Sequence, residues 1–204
     1  MEDFGCYIIV TKPTLPHTAI AERCVANGVR MLQLREKHLS DSELIRIAKD
    51  IRSITAGTGT KLVINDRADI AMLCDADYLH LGQDDMDIDD ARRIVGSMKI
   101  GLSTHSIQQA KEALLKKPDY IGFGPIYPTN AKAKPDSPVG TNLLREVLGF
   151  ATVPVVAIGG IFPENIGEVI DAGARNVALV RHFMQTTEFD SRFREINQLV
   201  NNGR

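Results

Sequence analysis

The sequence lacks any long uninterrupted apolar run, and that absence excludes a protein that crosses a membrane on apolar helices. No stretch approaches the roughly 18 apolar residues that a membrane-spanning helix needs. The amino terminus carries Glu2 and Asp3, where a secretory signal would carry basic residues. We therefore expect a cytoplasmic protein with no membrane partner.

The chain also has almost no excess of charge of either sign. Its 204 residues include 24 Lys and Arg against 26 Asp and Glu, a formal net charge of −2. Because a general nucleic-acid surface needs a marked excess of positive charge, nucleic acid is not an expected partner. A small basic pocket for a phosphorylated small molecule remains compatible with this balance.

Cysteine is scarce and irregularly placed. Cys6, Cys24 and Cys74 are odd in number, scattered, and each lies in or beside an apolar run. This pattern favours small buried apolar side chains over a metal site or a redox site.

Repeats, linkers and low-complexity tracts are absent as well, so the chain is predicted to form a single domain over residues 1–204. Several strand-like segments are apolar nearly throughout, as a parallel sheet buried on both faces requires. Eight strand–helix units predict an α/β fold, a (β/α)8 TIM barrel, with an open doubly wound sheet as the alternative. The strand candidates are Tyr7–Thr11, Met31–Leu34, Lys61–Asn65, Tyr78–Leu81, Lys99–Ser103, Tyr120–Gly124, Val153–Ile158 and Asn176–Val180.

The segments between these strands have helical spacing. "SDSELIRIAKDIRSI" opens with Ser40 and Glu43, which predict a capping box. "PENIGEVIDAG" has Pro163 near its start and Gly173 just past its end, as helices commonly do. The longest loop candidate is Pro125–Gly140, and loops of that length are usually functional or disordered.

Polar residues collect after the predicted strands, at the edge where the active site of a TIM barrel lies. A few carboxylates suit Mg²⁺, Arg and Lys suit a diphosphate, and glycines before a helix suit a phosphate monoester. We therefore predict a site for a diphosphate with Mg²⁺ and for a second phosphate. In strand order the residues are Gln33, Arg35, Lys37; Asn65, Asp66; Asp84, Asp85; Ser103, His105; Thr129, Lys132; Gly159, Gly160; Arg181, His182.

Each of these features has an ordinary structural interpretation when it is taken alone. An Asn-Asp pair after a strand is commonly a turn or a helix cap, Gly-Gly is common in tight turns, and Gln-x-Arg-x-Lys could be an exposed strand edge. We interpret His105 as a hydrogen-bonding residue at a helix start. His17, His38 and His80 have no metal-ligand spacing and are interpreted as surface or structural residues.

Seven segments follow one another along the chain: "QLREK", "LVINDRADIA", "YLHLGQDDM", "IGLSTHS", "DYIGFGPIYPTNAK", "VPVVAIGGI" and "AGARNVALV". Taken together, they resemble the thiamine-phosphate synthase family, also called thiamine-phosphate pyrophosphorylase. The resemblance covers nearly the whole chain and implies a (β/α)8 barrel. It also implies a transferase that joins 4-amino-5-hydroxymethyl-2-methylpyrimidine diphosphate to hydroxyethylthiazole phosphate, giving thiamine phosphate and pyrophosphate. The implied path is dissociative, so that pyrophosphate leaves first and the thiazole nitrogen attacks a stabilised cation.

The resemblance implies a role for each matching residue on the side of the pyrimidine substrate. Cations are needed there because negative charge grows on the leaving pyrophosphate. Arg35, Lys37 and Lys132 are therefore expected to be catalytic. The pyrimidine diphosphate would be bound by Gln33, Arg35, Lys37, Asn65, Ser103 and Lys132, and the Mg²⁺ cofactor by Asp66 and Asp85, with Asp84 as a less favoured neighbour.

On the side of the thiazole phosphate the resemblance implies Thr129 and Gly160, but two segments depart from the family pattern. The family loop Thr-x-Ser/Thr-Lys has Ala131 in place of a hydroxyl residue here. A small serine at the end of strand 8 is replaced by Arg181, and its small neighbour by His182.

Two interpretations of this changed acceptor pocket stay open. Arg181 binds the phosphate as a charged donor, or its bulk fills the pocket. The second interpretation would give a non-catalytic binding protein or an enzyme with another acceptor. Gly124 is followed by Pro125 rather than His, and Asn65-Asp66 is intact, which argues against the related thiazole tautomerase. A homo-oligomer is compatible with the sequence.

Overall fold

The structure is a computed structural model that describes residues 3–129 and 136–202. Eight parallel strands are hydrogen-bonded in sequence order, and β1 pairs with β8 to close the ring. This closure excludes the open doubly wound sheet and confirms the predicted (β/α)8 barrel. The strands are β1 Gly5–Val10, β2 Met31–Leu34, β3 Lys61–Asn65, β4 Tyr78–Leu81, β5 Lys99–Thr104, β6 Tyr120–Phe123, β7 Val155–Ile158 and β8 Asn176–Leu179.

Helices follow the strands and cover the outside of the barrel. They are α1 His17–Ala26, α2 Asp41–Thr55, α3 Ala68–Leu73, α4 Ile88–Val95, α5 Ile107–Leu115, α6 Gly140–Phe150, α7 Ile166–Asp171, α8 Arg181–Met184 and α9 Phe189–Asn202. In the described part of the chain, no helix combines the length and apolar character that crossing a membrane would require.

The predicted strands are confirmed in number and order, with small differences at their ends. β7 begins at Val155 rather than at Val153. Pro154 lies between these positions, and a proline has no N–H to donate to a neighbouring strand. Its carbonyl oxygen accepts a hydrogen bond from the Ile121 N–H at 3.0 Å, so β6 and β7 are joined from that point onward.

Two helix predictions gave different results. The capping box is confirmed, because the Ser40 side chain accepts from the Glu43 N–H and the Glu43 side chain accepts from the Ser40 N–H. The helix predicted within "PENIGEVIDAG" is α7, and it begins at Ile166, three residues after Pro163. Asn165 explains the later start, because its side-chain oxygen accepts from the Phe162 N–H at 2.8 Å and holds a turn before the helix.

Apolar side chains form one layer between the strands and the helices and a second cluster inside the barrel. Tyr120 is fully buried in the inner cluster. Its register partner on β5 is Gly101, and a Cβ there would lie 2.1 Å from Tyr120 Cζ. The glycine therefore provides the space for the ring. The buried members of the inner cluster are Phe4, Tyr7, Ile9, Met31, Val63, Tyr78, Tyr120, Val156 and Ala178.

Two aspartates fix the amino-terminal ends of strands β3 and β5. Asp77 Oδ2 accepts from the Leu62 N–H of β3 at 2.9 Å and from Arg52 Nη1 at 3.0 Å. Asp119 Oδ2 accepts from the Ile100 N–H of β5 at 2.8 Å. These hydrogen bonds satisfy backbone N–H groups at the amino-terminal ends of the strands. The opposite, carboxyl-terminal ends of the strands surround the candidate site.

All three cysteines are free and buried, as predicted. Burial raises the pKa of the Cys6 and Cys24 thiols far above the usual range and that of Cys74 to about 11. Because the thiolate is the reactive form, we expect the native protein not to react with a thiol reagent near neutral pH. A thiol titration before and after unfolding checks this, and rapid modification of the native protein would contradict it.

Candidate active site

One large cavity opens at the carboxyl-terminal ends of the strands. It has an empty volume of about 1080 Å³, including its open mouth. The structure brings together nearly all of the residues that the sequence placed in a site. The predicted residues in its wall are Gln33, Arg35, Lys37, Asn65, Asp66, Asp85, Ser103, His105, Thr129, Gly159, Gly160 and Arg181. Lys132 and Ala131 lie outside the described residues.

The segment after β2 presents alternate residues to the cavity because a strand points successive side chains to opposite faces. Gln33, Arg35 and Lys37 line the cavity. Glu36 does not; its buried carboxylate accepts from the Lys12 N–H at 2.8 Å and lies 2.7 Å from His17 Nε2. Gln33 is only 2 % exposed, so the interpretation of this segment as an exposed strand edge is wrong.

Two carboxyl groups and an ammonium group meet at the ends of β3 and β4. Lys37 Nζ lies 2.6 Å from Asp66 Oδ2. The Asp66 and Asp85 carboxyls interact directly, and the Gly82 N–H donates to Asp85 Oδ2 at 2.7 Å. Burial and the neighbouring Asp85 raise the pKa of Asp66, and Lys37 only partly offsets them. Asp66 therefore carries its negative charge at a free-energy cost in the protein alone.

The backbone holds Asp66 in place with an unusual conformation. Its φ is +62°, in the left-handed region that non-glycine residues seldom adopt. The Asp66 N–H donates to the His80 carbonyl oxygen at 2.8 Å, which continues the β3–β4 pairing past the end of the strand. Aspartate tolerates this region better than most residues, so the position suits the residue that occupies it.

The oxygen donors of Asp66 and Asp85 fit Mg²⁺ better than a transition metal. Among residues 3–129 and 136–202 no group of three or more His, Cys, Asp and Glu side chains could hold a metal by itself. Mg²⁺ is commonly bound by one or two carboxylates and completed by water and substrate phosphates. Asp66 and Asp85 supply such a pair beside the cations that follow β2. Asp84 is exposed and does not line the cavity.

His80 has structural hydrogen bonds, but it is also a cavity residue, which its interpretation as surface or structural did not include. It lines the cavity, and its Nε2 lies 2.8 Å from Ser103 Oγ. The signal in the sequence was its position: it is the one polar residue in the otherwise apolar strand Tyr78–Leu81, in register with Asn65. A polar side chain on the inner face near the carboxyl end of a barrel strand points toward the site.

The other histidines match their interpretations more closely. His17 and His38 flank the Glu36 carboxylate at 2.7 and 3.4 Å, a structural arrangement. His105 lies just before Ser106, the N-cap of α5, and its N–H donates to Gln109 Oε1 at 2.7 Å. Its ring Nδ1 lies 2.5 Å from the Gly124 carbonyl oxygen, and the residue also lines the cavity.

The opposite side of the cavity is formed by the loops after β6, β7 and β8. Gly159 and Gly160 have φ of +97° and +67°, and a Cβ on either would lie under 3 Å from the Pro125–Pro128 segment. Only glycine therefore lets these two loops approach each other. Arg181 lines this side, with its guanidinium carbon 5.1 Å from the Phe162 ring centroid.

His182 does not belong to this pocket, which corrects its assignment to a changed acceptor site. It is 8 % exposed, packs edge-on against Phe183 at 5.1 Å and is absent from the cavity wall. Arg192 Nη1 donates to its carbonyl oxygen at 2.6 Å. Burial and the nearby Arg192 lower the pKa of its imidazole. Of the two substitutions after β8, only Arg181 therefore changes the cavity.

Comparison with known proteins shows the family to which a barrel with this cavity belongs. The family model described as thiamine monophosphate synthase matches residues 6–183. The chain belongs to the thiamine monophosphate synthase family. Thiamine-phosphate synthase of Chloroflexus aurantiacus is 37% identical over 184 residues, which are 90% of this chain and 85% of that protein. The corresponding protein of Lawsonia intracellularis is 40% identical over 182 residues, which are 89% and 84% of the two chains.

A solved structure agrees with the family assignment. Thiamine phosphate pyrophosphorylase from Pyrococcus furiosus superposes with a TM-score of 0.87 at 30% identity, covering 98% of this chain and 96% of that one. Sequence and fold therefore both place the chain in the thiamine monophosphate synthase family.

Proposed function

We propose that this protein is a thiamine-phosphate synthase. It joins the pyrimidine diphosphate to hydroxyethylthiazole phosphate and releases pyrophosphate, in a single domain over residues 1–204 and in the cytoplasm. One observation carries the proposal: Arg35 and Lys37 line the same cavity as the Asp66 and Asp85 carboxylates, and Lys37 contacts Asp66 directly. A diphosphate with its metal fits between such groups.

The residues of the donor side have distinct tasks in this reaction. Arg35 and Lys37 hold the diphosphate, and Lys132, which follows β6 in the sequence, is the third cation. Their positive charge stabilises the negative charge that develops on the leaving pyrophosphate, and this interaction strengthens as the bond breaks. Gln33, Asn65 and Ser103 hold the pyrimidine so that its methylene carbon faces the acceptor.

Asp66 and Asp85 are the residues that would hold Mg²⁺. The ion supplies positive charge next to the leaving group when it is bound. The raised pKa of Asp66 supports this assignment, because a divalent cation would relieve the repulsion between the two carboxylates that burial intensifies. Lys37 is placed to bridge from this pair to the diphosphate.

Arg181 binds the phosphate of the thiazole substrate in our proposal, together with Gly160 and Thr129. Its guanidinium lies against the Phe162 ring and lines the cavity, so it is held at the acceptor side rather than extended into solvent. A charged donor there replaces the hydroxyl that the family pattern has. This favours retained phosphate binding over the alternative of a blocked pocket.

Arg181→Ser is expected to raise KM for the thiazole phosphate by about 10- to 100-fold, since a hydrogen bond to a charged group contributes about 1.5–3 kcal/mol. KM for the pyrimidine diphosphate should stay unchanged. Arg175→Ser is the matched control, because Arg175 lies just before β8 at the other end of the barrel and pairs with Asp3. Steady-state kinetics with each substrate varied checks this. A lower KM for the thiazole phosphate would instead support a pocket that Arg181 obstructs.

The function is tested by mixing the protein with both substrates and Mg²⁺ and assaying thiamine phosphate and pyrophosphate. Formation of both products, stopped by EDTA, is the expected result. Mg²⁺-dependent binding of the pyrimidine diphosphate without turnover would contradict it. That outcome would favour a binding protein or an enzyme with another acceptor.

A further inference from the structure

Five side chains form an unbroken series of hydrogen bonds through the interior of the barrel. Gln33 Nε2 lies 2.8 Å from Tyr7 Oη, and Tyr7 Oη lies 2.9 Å from Tyr120 Oη. Tyr120 Oη lies 2.8 Å from His80 Nδ1, and His80 Nε2 lies 2.8 Å from Ser103 Oγ. We call this series the core chain. Both of its ends and His80 line the cavity, whereas its two tyrosines do not.

The middle of the core chain is buried and held rigidly. Tyr7 is 2 % exposed and Tyr120 is fully buried. The rings of Tyr120 and His80 are stacked, with centroids 5.5 Å apart and planes 19° from parallel. Burial raises the pKa of both tyrosines well above the usual value, so each keeps its hydroxyl proton and donates one hydrogen bond.

A neutral chain of this kind has a direction. With the Gln33 amide nitrogen donating to Tyr7 Oη, the Tyr7 hydroxyl donates to Tyr120 Oη and the Tyr120 hydroxyl donates to His80 Nδ1. His80 then carries its proton on Nε2 and donates to Ser103. The Ser103 hydroxyl proton is left for a ligand, and Gln33 has its carbonyl oxygen to offer. Reversing one end requires reversing every bond, including a flip of the Gln33 amide and a change of the His80 tautomer.

We propose that the core chain couples Gln33 to Ser103, so that one end of the cavity accepts a hydrogen bond only while the other donates one. Tyr7, Tyr120 and His80 are then positioning residues that set the hydrogen-bonding pattern of the site. Such a site selects a ring that offers an amino donor and a ring-nitrogen acceptor. It rejects an otherwise similar ring on which these two features are exchanged.

This inference rests on the proposed function for the identity of the ligand, and it explains how that ligand is recognised. An aminopyrimidine has the pattern that the core chain accepts. The corresponding oxopyrimidine carries a carbonyl acceptor in place of the amino donor and an N–H in place of a ring-nitrogen acceptor. Binding it would reverse the whole chain or leave buried polar groups unpaired, and sites of this kind discriminate strongly.

Tyr120→Phe interrupts the core chain with the loss of a single oxygen atom. We expect the preference for the aminopyrimidine diphosphate over its oxo analogue to fall about tenfold, the effect of about one buried hydrogen bond. Affinity for inorganic pyrophosphate with Mg²⁺ should not change. Tyr7→Phe should have a smaller effect, because Tyr120 can still donate to His80. Calorimetry with the three ligands measures these affinities.

Tyr78→Phe is the matched control, because Tyr78 belongs to the same inner cluster, 5.9 Å from the Tyr120 ring, but its hydroxyl accepts from Lys99 Nζ at 3.2 Å. It should keep the wild-type preference. An equal loss of affinity for both rings in Tyr120→Phe would show a merely structural role and overturn the inference. Failure of wild-type protein to bind the aminopyrimidine diphosphate would instead count against the proposed function.

The free protein gives a second test that needs no ligand. In ¹⁵N-histidine NMR at about pH 8, where an imidazole is normally neutral, wild-type His80 should show a protonated Nε2 and an unprotonated Nδ1. In Tyr120→Phe the ¹⁵N chemical shifts of both His80 ring nitrogens should move toward the values of a mixture of tautomers. In Tyr78→Phe these chemical shifts should match those of the wild type. The loss of the signals in His80→Gln assigns them. An averaged tautomer or a protonated Nδ1 in the wild type would overturn the proposed direction of the chain.

Discussion

Asp66→Asn is expected to lower kcat by at least about a hundredfold and to remove its dependence on Mg²⁺, because the variant loses one of two carboxylates that would hold the ion. The amide nearly preserves the size of the side chain and the backbone at φ +62°. Steady-state rates over a range of Mg²⁺ concentrations measure the effect.

The same variant should not be less stable in the absence of metal. The pKa of Asp66 is raised in the folded state by burial and by Asp85. Folding therefore favours the protonated form, and stability falls as the pH rises from the unfolded toward the folded pKa. At neutral pH the ionised Asp66 opposes folding, and the neutral amide removes that cost. We expect the Tm of metal-free Asp66→Asn to equal or exceed that of the wild type.

Asp84→Asn is the control for this prediction. Asp84 is an exposed neighbour of Asp85 outside the cavity wall, and its replacement should leave both kcat and the Mg²⁺ dependence intact. An Asp66→Asn variant with wild-type rate and Mg²⁺ dependence would show that the carboxylate pair has another role. A strongly lowered Tm would show that the rate loss reflects damage to the fold.

Gly101→Ala is expected to destabilise the protein by about 3 kcal/mol, near the upper end of the range for overpacked cores. The added Cβ would lie between 2.1 and 2.6 Å from three ring atoms of Tyr120. That ring is fully buried among Phe4, Tyr7 and Tyr78, so it cannot move aside without displacing its neighbours. Urea unfolding followed by circular dichroism measures the difference.

Gly149→Ala makes the same chemical change where there is room. Gly149 is exposed within α6, and a Cβ there meets nothing within 4 Å. Because alanine favours a helix over glycine, this variant should be as stable as the wild type or slightly more stable. Equal stability for Gly101→Ala and the wild type would mean that the inner cluster repacks easily, contrary to the tight fit around Tyr120.

The barrel could be predicted from the sequence because hydrophobic patterning and strand order determine it together. Eight apolar segments separated by amphipathic ones admit few topologies. The strand ends were less certain, since a single residue such as Pro154 decides where pairing begins. Ring closure between β1 and β8 joins segments about 170 residues apart in the sequence, and no local pattern distinguishes it from an open sheet.

The cavity wall was predictable to the extent that its residues follow strands, as Gln33, Asp66 and Ser103 do. The core chain was not, because it depends on side-chain directions inside a closed barrel. Tyr7 and Tyr120 appear in the sequence as ordinary strand residues, and their hydroxyl contact spans 113 positions. His182 was misplaced for a related reason: it follows Arg181 directly, yet the short helix α8 turns its ring away from the cavity.

The pairing of the first strand with the last has a consequence for synthesis on the ribosome. β1 leaves the exit tunnel early and presents an unpaired edge on one side until β8 emerges. Until then the inner cluster is incomplete: Phe4, Tyr7 and Ile9 are present, but Ala178 of β8 is missing. The nascent chain therefore has neither a finished interior nor a complete wall for its substrates, and exposed strand edges of this kind invite mispairing. A nascent chain stalled after β7 should bind chaperones that a chain stalled well beyond β8 releases.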